Sequence, residues 1–150
     1  MLAVLQEGAR DFEEAVGDAK VVGTTAGERI TQLIDILSSH YGSPEYLADL
    51  QILLNMDGDP STSSEVRKTL EDVARKSQGH VQRLLREALG PAVSTPDLTA
   101  TVFLVIRGFA LSQQIADKLS YDALAPKNDR VSRQRRLLAG VLTPYFEPKS

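Results

Sequence analysis

The chain has 150 residues, 42% hydrophobic and 25% charged, which fits one ordinary globular domain and indicates neither disorder nor a fibre. A formal net charge of −3 argues against a nucleic-acid surface covering the molecule. The absence of cysteine removes disulfides, thiolate metal sites and cysteine nucleophiles together. The N-terminal stretch carries Glu7, Asp11, Glu13 and Glu14 within an apolar pattern, unlike a signal peptide, and no apolar run is expected to reach the roughly 18–20 residues of a membrane span. A soluble, cytoplasmic protein without membrane contact is the expectation.

Helical periodicity runs through the chain, and the breaks are well marked. Residues 2–16 place Leu2, Leu5, Ala9, Phe12 and Val16 at spacings of three and four. Thr25-Ala26-Gly27-Glu28 has the form of a capping box, in which hydroxyl and carboxylate satisfy each other's backbone N–H groups. The helix it opens carries Ile30, Leu33, Ile34 and Leu37 on one stripe and ends near Gly42, expected as a left-handed terminator. Ser43-Pro44-Glu45 starts another helix at once, over 44–56, with cap, first-turn proline and an acid at the positive end of the dipole.

After the loop Asp57-Gly58-Asp59-Pro60-Ser61, Thr62 and Glu65 suggest a second capping box and the longest helix, over 63–89. Its seam is Val66, Leu70, Val73, Ala74, Val81, Leu84, Leu85 and Ala88. Glu71–Arg75 and Asp72–Lys76 have the favourable i,i+4 order, and Gly90-Pro91 stops the helix. Thr95-Pro96-Asp97 repeats the cap-and-proline signature before a helix over 97–119 that is apolar almost all round, so something beyond its own domain should cover part of it. A last helix over 128–145 is expected to collect Val131, Leu137, Leu138, Val141 and Leu142 on one face, with Arg130, Arg133 and Arg136 on another. The fold class read from this pattern is all-α, a bundle of about six helices in one domain with no strand.

The order of helices, with Ser43-Pro44-Glu45-Tyr46-Leu47, Leu84-Leu85-Arg86-Glu87-Ala88-Leu89-Gly90 and Arg107-Gly108-Phe109-Ala110-Leu111, resembles the C-terminal domain of TetR-type transcriptional regulators over nearly the whole chain. The resemblance implies a homodimer in which the last two helices pack against their twins as a four-helix bundle. The residues support such a seam: Gly108 and Ala110 permit close approach, and Leu111, Ile115, Leu138, Val141 and Leu142 could fill it. It also implies a pocket for a small apolar or amphipathic effector, whose binding alters operator affinity and in this family usually relieves repression. Operator DNA would be reached only through a preceding helix-turn-helix of about fifty residues, which this sequence does not contain. No cofactor or metal is implied.

Candidate pocket residues are Phe12, Tyr41, Leu53, Met56, His80, Phe103 and Arg107, apolar walls with a few polar groups to orient a ligand. Phe12, Leu53 and Phe103 serve equally as core, and His80 as a structural or surface histidine. Arg107 stands where the family more often has an acidic or neutral residue. If buried, its guanidinium needs a partner: Asp35, Asp49, the other subunit, or the carboxylate or phosphate of an effector.

Asn55, Asp57, Asp59 and Glu65 do not make a calcium loop, because the glycine and twelfth-position acid are missing. The cluster Lys127, Arg130, Arg133, Arg135 and Arg136 has no interleaved aromatics and reads as a solvated face. With two histidines, His40 and His80, no HExxH and no phosphate loop after a strand, no enzyme is expected. The reading from a different class is an autonomous helical interaction module that binds no DNA.

Overall fold

A computed structural model of the chain describes residues 2–91, 94–118 and 130–147. It is all-α: helices α1 (Leu2–Phe12), α2 (Ala26–Tyr41), α3 (Pro44–Asp57), α4 (Ser64–Leu89), α5 (Pro96–Lys118) and α6 (Arg130–Leu142), with a π turn at Glu13–Gly17 and a 3-10 turn at Thr143–Tyr145. No strand occurs among the described residues.

Local chemistry explains most boundaries. The capping box of α2 forms as spelled: Thr25 Oγ1 accepts from the Glu28 N–H at 3.1 Å, and Glu28 Oε2 accepts from the Thr25 N–H at 3.1 Å. Thr24 adds its hydroxyl to the same carboxylate at 2.7 Å, and these bonds hold Glu28 below its ordinary pKa. Ser43 caps α3 by accepting from the Tyr46 N–H at 3.1 Å, with Pro44 in the first turn. Thr95 caps α5 through the Leu98 N–H.

Other expectations are corrected. The cap of α4 is Ser63, which accepts from the Val66 N–H, while Thr62 turns back to donate to the Met56 carbonyl, so the Thr62–Glu65 box is not made. Gly42 is not left-handed, with φ −91°. Glycine is needed there because a Cβ would lie 2.7 Å from the Ser38 carbonyl oxygen. The left-handed terminator is Gly90, with φ +74°. On α4, Arg75 pairs with Asp72 at i,i+3 and Lys76 reaches across to Glu13 at 2.9 Å, because a tertiary acid lies nearer than the expected helix neighbour.

The first helix changes character at Phe12, where the chain widens into the π turn and the Asp18 N–H bonds back to the Glu13 carbonyl at 3.0 Å. Arg83 of α4 secures this turn, donating to the carbonyls of Val16 and Gly17 at 3.3 and 2.8 Å and pairing with Glu87 at 2.8 Å. Glu87 in turn accepts from the Val21 N–H at 3.0 Å. Arg83→Met is therefore expected to cost about 1–3 kcal/mol, by stripping partly buried acceptors of their donor. Urea unfolding checks this, and an unchanged midpoint would show that water replaces the guanidinium.

The centre of the molecule is α2, which packs against α3, α4, α5 and α6. Its Ile30, Leu33, Ile34 and Leu37 are fully buried, with Leu84 and Leu89 of α4 and Val102 and Ile106 of α5 around them. On α6 the inward stripe is Arg135, Ala139 and Leu142, where Arg135 meets Asp35 at 3.5 Å. The expected single apolar face of α6 is thus split. Successive residues turn by about 100°, so with Ala139 and Leu142 inward, Leu137 and Val141 stand 70% and 65% exposed.

A helix long and apolar enough to cross a membrane, by length and composition, is present after all: Pro96–Ala116, mean hydropathy 1.3. Uncharged Thr, Ser and Gln residues extend the apolar run, and Arg107 is the one charge in its middle. This helix buries Val102, Ile106 and Ala110 in the core, while Leu104, Val105 and Ile115 are 62%, 40% and 49% exposed.

Candidate functional site

A cavity of about 740 Å³ opens between α1, α3, α4 and α5, with the C-terminal end of α2 at its base. Of the residues expected to line it, Phe12, Tyr41, Leu53, Phe103 and Arg107 do. Met56 does not: it is buried beside a separate hollow of about 360 Å³, next to Thr62 and Leu70. His80 is also outside, because Nε2 is held at 3.1 Å by Glu13 of the π turn. Lys76 binds the same carboxylate oxygen, and its hydrogen bond is the main reason that Glu13 lies below its ordinary pKa. His80 serves the junction of α4 with the π turn.

An aromatic cluster builds the base. The Phe12 ring meets His40 edge-on at 4.8 Å, Tyr41 meets Tyr46 edge-on at 4.8 Å, and Phe103 lies 5.6 Å from Tyr41. Burial pulls His40 down to about 4 and pushes the Tyr41 hydroxyl up, so both are neutral near pH 7. Arg107 sits against this cluster, its Cζ 5.7 Å from the Tyr41 ring centroid and 5.9 Å from that of Tyr46. Its Nη2 donates to the Tyr46 hydroxyl at 2.7 Å. Its buried Nε has no hydrogen-bond partner among the described residues.

Neither acid expected to pair with Arg107 does so. Asp35 is taken by Arg135, and Asp49 lines the cavity without forming an ion pair among the described residues. Asp49 enters the wall because residue 8 is glycine: a Cβ there would overlap its carboxylate at 2.5 Å. Burial raises the pKa of Asp49, as do the charges of Asp11, Glu45 and Glu7.

His40, Tyr46 and Asp49 are among the cavity residues that sequence reasoning missed. Ser43-Pro44 was the available signal for Tyr46, since a helix restarting directly after α2 must fold its first turn back toward Tyr41. Nothing in the spacing indicated Asp49, whose entry depends on a glycine forty-one positions away.

The residues expected at a dimer seam divide. Gly108, Ile115 and Val141 are exposed and Leu111 is half-buried, whereas Leu142 is buried in the core and Leu138 packs against it. Leu104, Gly108, Leu111 and Ile115 form one stripe on α5, and Leu137 and Val141 form another on α6. Gln113 donates to Gln134 at 2.8 Å and ties these helices together. Lys127 lies outside the described residues, as does the side chain of Asp57. Among the described residues no group of three or more His, Cys, Asp or Glu is placed to hold a metal.

Comparison with protein-family models, with curated proteins and with solved structures found no match.

Proposed function

We propose that this chain is the effector-binding and dimerising domain of a TetR-type transcriptional regulator acting in the cytoplasm. In this reading a small amphipathic molecule enters the 740 Å³ cavity, the single observation on which the proposal rests most heavily. Cavity volume, apolar walls and a few convergent polar groups are what such a sensor requires. The effector must favour one arrangement of the helices over another, because only differential affinity shifts a conformational equilibrium. The mobile element in this reading is α1, whose Leu5, Ala9 and Phe12 line the cavity and whose end is the π turn. Displacing α1 would re-space two attached helix-turn-helix heads across the dimer and alter their fit to the half-sites of an operator.

The exposed stripes of α5 and α6 support a homodimer, since contiguous apolar surface on a soluble protein marks a contact site. Native mass spectrometry of protein purified from cells should give a dimer that retains a small molecule. A ligand-free monomer recovered at micromolar concentration would overturn the proposal, as would recovery in the membrane fraction. A dimer that binds no small molecule would favour the autonomous interaction module.

Leu137→Arg is expected to yield a folded monomer. Leu137 is 70% exposed in the protomer and tolerates a charge there, while a dimer would have to bury that charge without a partner. Light scattering checks it, and a persistent dimer would remove Leu137 from the seam.

A further inference from the structure

Among the described residues the cavity has one Lys or Arg side chain in its wall, Arg107, on a helix otherwise uncharged there. A guanidinium stays charged in any protein environment, and a half-buried one without an acid is costly to keep. Tyr46 takes one of its donors at 2.7 Å and the Arg107 Cζ lies 5.7 and 5.9 Å from the Tyr41 and Tyr46 ring centroids, yet the buried Nε remains unpartnered among the described residues. A guanidinium in a cavity wall with no acid against it is suited to a carboxylate through a charge-assisted hydrogen bond. The remaining walls are largely apolar, with Phe12, Leu53, Val81 and Phe103 prominent beside the uncharged Ser77, Gln78, Gln82 and Thr99. Asp49 and Glu71 also line the cavity, so a second negative charge on a ligand would meet acids and, among the described residues, no further Lys or Arg.

We propose that the cavity takes a small monocarboxylic acid with an apolar body, its carboxylate on Arg107 and Tyr46 and its chain against Phe12 and Phe103. This ligand class rests on the sensor reading above and narrows it. The uncompensated cation is then explained as half of an ion pair whose other half arrives with the ligand. Without ligand, the two tyrosines hold the guanidinium ready.

Calorimetric titration of the full chain with decanoate, 1-decanol and decyl phosphate tests it. Decanoate should bind once per chain, more tightly than either analogue. Arg107→Met should weaken decanoate by about ten- to a hundredfold, the range expected for a hydrogen-bonded charge contact, and leave 1-decanol unchanged. Tyr46→Phe should weaken decanoate less, again sparing 1-decanol, and circular dichroism verifies that each variant is folded. A structural role for Arg107 would instead weaken acid and alcohol alike. Equal decanoate affinity in wild type and Arg107→Met overturns the proposal, and so does tighter binding of decyl phosphate. Binding of 1-decanol without decanoate sinks the carboxylate assignment but leaves the cavity as a sensor site, whereas binding of none of the three sinks both.

Discussion

Phe146→Ala is expected to destabilise the fold by about 3–5 kcal/mol, the range for truncating a well-packed buried aromatic ring. Phe146 is 1% exposed and belongs to the same core cluster as Ile30, Leu33 and Leu142, although only four residues follow it in the sequence. The 3-10 turn brings it there. Thr143 donates to the Ala139 carbonyl at 2.6 Å, Pro144 sets the turn, and the Phe146 N–H closes it on the Thr143 carbonyl at 2.9 Å. The Thr143 side chain meanwhile approaches Gly27 at the start of α2. With a typical domain stability of about 5–15 kcal/mol, losing this ring would leave a marginal protein. Urea unfolding measures the effect, and a loss below about 1 kcal/mol would show that the ring is not part of the cooperative core.

The second large effect is acid destabilisation through His40. In the unfolded chain this imidazole takes up its proton as pH falls through about 6.5, whereas in the folded protein it is held down to about 4 by burial. Stability is therefore full above about 6.5 and is lost progressively as pH falls to 4. At about 1.4 kcal/mol per pH unit the loss is roughly 2–3 kcal/mol, after allowing for partial solvent access. Glu28 and Glu87, with lowered pKa values, lose their contributions only as pH drops below the ordinary carboxylate range, and Asp49, with a raised one, acts in the opposite sense. The His40→Phe variant keeps a ring against Phe12 and Tyr46 and removes the proton site. Its unfolding free energy should vary less between pH 6.5 and 4.5 than that of the wild type. Parallel pH profiles would refute the assignment.

Both effects depend on residues with different legibility in the sequence. His40 is visible as one of two histidines, but its depressed pKa requires Phe12 from α1 and Tyr46 from α3 to close over it. Phe146 follows a proline outside any helical period, so periodicity places it in a tail. Arg107 announces itself as a charge between Ile106 and Gly108, yet two acids on other helices were equally good partners until Arg135 proved to occupy Asp35.

The sequence alone determined the all-α class, the succession of helices, the capping box at Thr25 and the caps at Ser43 and Thr95, because these rest on contacts within four residues. It also marked α5 as too apolar for a one-faced helix. Only the tertiary structure decided that Leu142 faces the core while Val141 does not, that Ser63 rather than Thr62 caps α4, and that His80 serves Glu13 instead of the cavity. The first and last turn on which distant partner takes a shared volume or a shared polar group, and the α4 cap on Thr62 turning back to the Met56 carbonyl; helical spacing carries no record of either.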